Sequence, residues 1–246
     1  VGKKVRLDRW LVERGLAPSR QRARELVEQG DVLVGGVENR NPAAQVDVDR
    51  GVTLRATEHQ WVGRGARKLL SVLDPLGMAV EGHVCADLGA STGGFTEVLL
   101  HRGAAKVYAI DVGKGLLHER LRADPRVVVM EGVNARHLEG LPEPVTRVVG
   151  DLSFISLALI LPAVARLLAP GGEVVVLVKP QFEVGREHVG GGGLVRDEAA
   201  RADAIARVRA DAEAAGFAVL GGLDSGVAGA RSGNVEHFLY LRYTGR

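Results

Sequence analysis

The chain has a single cysteine, Cys85, in 246 residues. That excludes an internal disulfide and any zinc site built from several thiolates, and Cys85 reads as a small buried hydrophobe in a strand. No metal site is expected. Nor is there an apolar stretch of about 18 residues or more, the length a membrane span needs. The longest candidate, Ile155 to Ala165, is cut by Pro162 and followed by Arg166. The basic start Val1-Gly2-Lys3-Lys4 leads into no apolar run, so no targeting segment is expected. A membrane-active protein would need an amphipathic or spanning segment, and none is visible. Excess charge is missing too. With 32 Lys and Arg against 30 Asp and Glu and 46% hydrophobic residues, intrinsic disorder is excluded. The expectation is a soluble cytoplasmic protein with one medium domain and one small one.

The near-neutral total hides an uneven distribution. Residues 1–70 hold 14 basic and 9 acidic side chains, and the remainder is mildly acidic. A basic leading segment suits a module that binds a polyanion. Leu7, Trp10, Leu11 and Arg14 fall at helical spacing before Gly15. Ser19 is the expected N-cap of a second helix over 20–29, which carries Arg20, Arg22 and Arg24. Short strands follow: a hairpin over 31–37 around Gly35-Gly36, then 46–48 and 52–54. Arg6-Leu7-Asp8, Ser19-Arg20-Gln21-Arg22-Ala23 and Gly30-Asp31-Val32-Leu33-Val34 resemble the RNA-binding domain named after ribosomal protein S-four. The resemblance implies a small α+β domain over 1–58, with Arg6, Arg20 and Arg22 facing RNA phosphates.

Residues 59–62 read as a linker. Gly63-Arg64-Gly65-Ala66-Arg67-Lys68 then opens a helix running to Leu76 with three cations and no acid, so Arg64 and Arg67 are further candidates for RNA contact. From residue 82 strands and helices alternate. Strands are expected at 84–88, 106–111, 127–130, 147–152, 173–179, 217–223 and 235–243. Helices are expected at 95–102, 116–122, 155–168 and 197–215. The apolar runs are short and unalternated, as in strands covered on both faces. This argues a doubly wound α/β sheet.

In such a sheet the ligand lies over the carboxyl ends of the strands. The first strand enters Asp87-Leu88-Gly89-Ala90-Ser91-Thr92-Gly93-Gly94-Phe95. Its G-x-x-x-G-G spacing departs from the dinucleotide pattern G-x-G-x-x-G. Asp111 ends the second strand about 20 residues on, where a carboxylate can bind ribose hydroxyls. A nucleoside ligand without a cradled pyrophosphate fits, and S-adenosylmethionine fits better than NAD. The loop resembles that of the FtsJ-like ribose methyltransferases. Trp61-Val62-Gly63-Arg64-Gly65-Ala66-Arg67-Lys68-Leu69, Asp151-Leu152-Ser153-Phe154-Ile155-Ser156-Leu157, Val178-Lys179-Pro180-Gln181-Phe182-Glu183 and Gly233-Asn234-Val235-Glu236-His237-Phe238-Leu239 resemble one branch, the TlyA family. Its members are ribosomal RNA cytidine 2′-O-methyltransferases, and some carry the name haemolysin.

The resemblance implies a Rossmann-like class I methyltransferase domain over 63–246, with seven strands and the last antiparallel. It implies S-adenosylmethionine at Asp87, Gly89, Ala90, Ser91, Gly93, Gly94, Phe95, Asp111, Asn134 and Asp151. It implies 16S ribosomal RNA, 23S ribosomal RNA or both, in assembled subunits, as the partner, and no membrane partner. Lys68, Asp151, Lys179 and Glu236 resemble the catalytic Lys-Asp-Lys-Glu tetrad. A ribose hydroxyl is barely ionised at neutral pH, and Lys179 is the candidate for activating it, either as a transiently neutral base or as a cation facing a developing alkoxide. A binding protein that had lost catalysis would have no use for all four. The loop over 185–193 reads as a lid, and 226–233, with Arg231, as a second substrate loop.

Overall fold

A computed structural model of the chain describes residues 4–17, 19–28, 30–47, 51–55, 61–227, 229 and 233–245. The end of the expected N-terminal domain at 56–58, the first linker residues His59 and Gln60, Val48 and Arg231 lie outside the described residues. The chain divides into two compact units, Val1–Arg64 and Gly65–Arg246.

The first unit opens with β1 (Lys4–Arg6), a strand the sequence pattern did not announce, followed directly by α1 (Leu7–Glu13) and α2 (Arg20–Glu28). Ser19 caps α2, its Oγ accepting from Arg22 N at 3.1 Å. The strands β2 (Val32–Val34), β3 (Val37–Glu38), β4 (Gln45–Asp47) and β5 (Val52–Leu54) follow. β1 pairs antiparallel with β4, and β2 lies between β3 and β5. The turn from β2 to β3 places both Gly35 and Gly36 at positive φ, which the tight hairpin requires. Leu7, Trp10, Leu11, Leu26, Val27 and Val32 form the core.

The second unit begins with α3 (Gly65–Leu76) and β6 (Val84–Leu88), then α4 (Gly94–His101) and β7 (Lys106–Asp111), α5 (Glu119–Arg122) and β8 (Val127–Glu131). Next come β9 (Val145–Gly150), α6 (Leu161–Leu167), β10 (Leu168–Val178), α7 (Pro180–Glu183), α8 (Glu198–Ala214), β11 (Phe217–Asp224) and β12 (His237–Tyr243). The seven strands lie in the order β11-β12-β10-β9-β6-β7-β8. β12 runs antiparallel to both neighbours, while β10, β9, β6, β7 and β8 are mutually parallel. The order reverses between β6 and β9, which opens a crevice at their carboxyl ends. Val174 to Val178 are all buried, as a strand covered on both faces should be. Cys85 is a free, buried thiol in β6, and burial pushes it up to about 12.

Two expected helices are shorter than the pattern implied, and one expected strand is shifted by two residues toward the N-terminus. The helix expected from 116 begins at Glu119, because Glu131 takes the N–H groups of Gly115, Leu116 and Leu117. The helix expected over 155–168 begins at Leu161, with Pro162 in its first turn; Ser156 instead caps a separate 3-10 turn, Leu157–Leu159. The strand expected over 147–152 stops at Gly150, leaving Asp151 just beyond it. No helix among the described residues is long and apolar enough to cross a membrane.

α3 packs tightly on α4, and a Cβ at Gly94 would lie 2.8 Å from the backbone nitrogen of Ala66. Neither backbone can yield cheaply. Gly94→Ala is expected to destabilise the second unit by about 1–3 kcal/mol through overpacking. A lowered urea midpoint at unchanged m-value would register it.

Candidate active site

Four charged side chains meet where β9, β10 and β12 end or begin. Asp151 follows β9, its N–H donating to Leu88 O at 3.0 Å. Lys179 follows β10. Val178 pairs with His237, so one step beyond the ladder Lys179 comes level with Glu236. Lys68 reaches in from the buried face of α3. Its Nζ lies 2.7 Å from Glu236 Oε2 and 3.4 Å from Asp151 Oδ2. Lys179 Nζ lies 2.6 Å from Asp151 Oδ1 and donates to Ser153 Oγ, also at 2.6 Å. The result is an unbroken series, Glu236–Lys68–Asp151–Lys179, with 3%, 8%, 20% and 10% of each side chain exposed. Burial works to raise the Asp151 carboxyl, but the charges of Lys68 and Lys179 outweigh it and hold Asp151 below the usual carboxylate value.

The loop after β6 runs beside this series. Gly89 is at φ +81°, and a Cβ there would lie 2.9 Å from the carbonyl oxygen of Asp151. Ser91 also takes a positive φ, and its N–H donates to Asp111 Oδ2 at 2.8 Å. Gly113 N donates to the other oxygen, Asp111 Oδ1, at 2.7 Å. Asp111 therefore clamps two loops and keeps lone pairs for further donors. Asn134 follows β8, where Val133 N donates to Asp111 O at 3.0 Å, and its own side chain caps the turn Ala135–His137.

Two residues expected at the cofactor face lie beneath it instead. Asp87 is fully buried, and its Oδ2 accepts from Thr96 N at 2.8 Å and Thr96 Oγ1 at 2.7 Å. It anchors the start of α4 and thereby the glycine loop. Phe95 is buried against the Phe238 ring, with centroids 6.1 Å apart, and belongs to the core. Ala90, Gly93 and Gly94 are buried as well, whereas Ser91 is exposed.

The candidate RNA-facing arginines divide similarly. Asp8 is completely buried, and Arg6, Arg20 and Arg24 converge on its Oδ2 at 2.9, 3.2 and 3.4 Å. The Arg6 guanidinium holds the Asp8 carboxyl well below the usual range, against the opposing effect of burial. Arg22 stands apart, paired with Glu25 at 3.1 Å. Arg24 shares Asp8 with Arg20, because its i,i+4 spacing from Arg20 puts both on one helix face. Arg64 and Arg67 are half-buried, and burial lowers Arg67. Ser153 was missed. Its only signal was its place two residues after Asp151. Among the described residues no three His, Cys, Asp or Glu side chains are arranged to hold a metal ion.

The chain is similar to known proteins along nearly its whole length. The family model described as FtsJ-like methyltransferase matches residues 61–243, and the S4 domain model matches residues 5–51. The chain is 49% identical over 245 residues to the 16S/23S rRNA (cytidine-2′-O)-methyltransferase TlyA of Mycobacterium tuberculosis, covering 98% of this chain and 91% of that protein. It is 36% identical to Hemolysin A of Brachyspira hyodysenteriae, over 96% of this chain and 99% of the relative. A solved structure of a hemolysin-named protein from Streptococcus thermophilus superposes with a TM-score of 0.77 at 39% identity, covering 99% of this chain and 90% of that one.

The buried Asp87 has a measurable signature. Burial raises it to about 7, against the two bonds from Thr96, whereas an unfolded aspartate titrates near 3.9. The folded state therefore holds the proton more tightly, and stability falls as pH rises from about 4 to about 7. Asp87→Asn removes that dependence, though its amide adds a pH-independent cost beside Oδ1, which meets no donor among the described residues. The stability difference between Asp87→Asn and the parent should shift in the variant's favour from pH 5 to pH 8, by at most about 3 kcal/mol. Thermal melts across that range would read it, and a flat difference would contradict the assignment.

Proposed function

The chain belongs to the TlyA family of FtsJ-like methyltransferases, and from that premise we propose that it methylates the 2′-hydroxyl of a cytidine in 16S or 23S ribosomal RNA, within assembled subunits in the cytoplasm. The observation that carries this reading is the series Glu236–Lys68–Asp151–Lys179 beside the glycine loop. We assign residues 1–58 to RNA recognition, 59–62 to the linker and 63–246 to the methyltransferase domain.

The loop after β6 fits S-adenosylmethionine. Its backbone turns through positive φ at Gly89, Ser91 and Gly93, and Asp111 keeps acceptor capacity at the end of β7 for ribose hydroxyls. When bound, that cofactor supplies an electrophilic methyl group. Ala90, Ser91 and Asn134 join Asp111 in holding it, with Asp87, Gly94 and Phe95 supporting the loop from below. Lys179 meets the ribose oxygen of the RNA, and Asp151 keeps Lys179 in place. Lys68, held between Asp151 and Glu236, fixes Asp151 in turn. Outside water, a fixed ammonium beside an oxygen that gains negative charge favours the transition state over the ground state. RNA is drawn by Arg6 and Arg20 with Arg24, and by Arg64 and Arg67; Arg22, paired with Glu25, contributes less.

Lys179→Ala should abolish transfer of labelled methyl groups to purified subunits while leaving affinity for cofactor and subunit within about twofold, because the lost interaction belongs to the transition state. Lys179→Arg separates the two roles. An arginine stays charged, so substantial turnover in that variant excludes proton acceptance at this position. Wild-type rates in Lys179→Ala would overturn the catalytic assignment of Lys179.

The arginines are tested by salt. Each phosphate contact adds about 0.7–0.9 to the slope of log affinity against log salt. Arg20→Ala is expected to lower that slope by about one contact and Arg22→Ala to leave it nearly unchanged. Binding titrations on subunits at several salt concentrations decide between them.

A further inference from the structure

We propose that Ser153 is the positioning residue that aims Lys179, and that Glu183 holds the loop on which Ser153 sits. The proposal rests on the reading of Lys179 given above.

A lysine nitrogen has three directions for hydrogen bonding besides its bond to Cε. Among the described residues, Lys179 Nζ meets Asp151 Oδ1 at 2.6 Å and Ser153 Oγ at 2.6 Å. Ser153 takes one of these directions as a hydrogen bond, while Asp151 Oδ1 draws the nitrogen as an ion pair. Asp151 alone would leave the nitrogen free to swing about a single contact. Ser153 adds a second anchor, so the ion pair and the hydrogen bond together restrict the directions in which Lys179 can face a ribose oxygen.

The contact holds only if the loop over 151–157 stays in register with the segment over 179–183. The structure ties the two at three successive places. Ser153 bonds Lys179. The Phe154 ring lies 5.2 Å from the Phe182 ring. Glu183 closes the far end, accepting from Ser156 Oγ at 2.7 Å and from Leu157 N at 2.8 Å. Between these ties Phe154 adopts φ +65°, a left-handed conformation that a non-glycine residue keeps only when its surroundings impose it. The reversal at Phe154 lies between the bond at Ser153 and the bonds at Ser156 and Leu157. Glu183 is itself on α7, the short helix directly after Lys179, and its carbonyl accepts from Arg207 of α8 at 3.0 Å. The bracket therefore spans both catalytic loops without touching a ribose or a methyl group.

The test uses the full chain and purified ribosomal subunits, with kcat and KM measured separately and cofactor affinity by calorimetry. Ser153→Ala should lower kcat by about 10- to 100-fold, the scale of a small misplacement of a reacting group. KM for subunits, cofactor affinity and melting temperature should stay at parent values. Ser153→Thr, which keeps the hydroxyl, should restore kcat to within about threefold. Glu183→Ala should reproduce the kcat loss, and Glu183→Gln, which can still accept from Leu157 and can donate to Ser156, should recover it. Parent kcat in Ser153→Ala, a loss confined to KM or cofactor affinity, or a loss that threonine leaves uncorrected overturns the proposal. Lys179→Ala in the same assay separates the two failures. If it turns over, the reading of Lys179 falls and takes this one with it. If it is inactive while Ser153→Ala is not, only the role of Ser153 is lost.

Discussion

Four charges at the mouth of the sheet must be kept from water without any of them being left alone. Each buried ion costs several kcal/mol in lost hydration, and removing one partner of a buried pair typically costs about 3–5 kcal/mol. The chain meets this with two lysines and two acids in alternation, so every charge has an opposite neighbour within 3.4 Å. That arrangement dictates topology. Asp151 and Lys179 come from parallel strands that are neighbours in the sheet, and Glu236 reaches them only because β12 is inserted antiparallel beside β10. A parallel seventh strand would begin at the opposite edge and leave Lys68 with Asp151 alone. The strand that breaks the parallel pattern is thus the one that balances the charge.

The loops around this centre are held by a different device. Glycine-rich turns bury few side chains, so they cannot fix themselves by packing. Three carboxylates take over. Asp87 binds the first turn of α4, Asp111 binds Ser91 and Gly113, and Glu131 binds Gly115, Leu116 and Leu117. In each case backbone N–H groups that no helix or ladder would satisfy find a carboxyl acceptor, and at Asp111 and Glu131 that acceptor is charged, a stronger bond than a neutral one. The backbone there is ordered yet uncluttered, which suits a surface a ligand must approach closely. It also explains why an acid in such a motif can matter without touching the ligand. Asp87 has no exposed surface and acts through Thr96.

This division marks what could be read in advance. The strands were legible because apolar runs such as Val174 to Val178 reflect burial on both faces. Asp151, Lys179 and Glu236 were legible because they sit at strand ends in recognisable motifs, and Lys68 because it follows the run Gly63-Arg64-Gly65-Ala66-Arg67 at the start of α3. What escaped depends on contacts between distant segments. The pairing of β1 with β4 leaves no periodicity in three residues. The loss of helix at 116–118 follows from Glu131, and the break at 155–160 from Ser156 and Pro162, so local propensity misjudged both. Ser153 and Glu183 carry no pattern of their own, because their partners lie 26 or 27 residues away. Arg22 and Arg24 look alike in sequence and differ only in which carboxylate each finds.

The two charged centres obey the same electrostatics with opposite outcomes. At Asp8 one carboxylate faces three guanidiniums, so positive charge is left over. Such a centre cannot be sheltered, and Arg6, Arg20 and Arg24 keep 38%, 57% and 55% of their side chains exposed. Its attraction for a polyanion is screened over about 8 Å at physiological salt. The tetrad is balanced two against two and lies largely out of solvent, where added ions screen little. Salt therefore acts on the Asp8 centre far more than on the tetrad. A chain that must first hold a large anion and then alter one neutral hydroxyl needs both kinds of centre. The surplus charge belongs where water can reach it, and the compensated charge where water cannot.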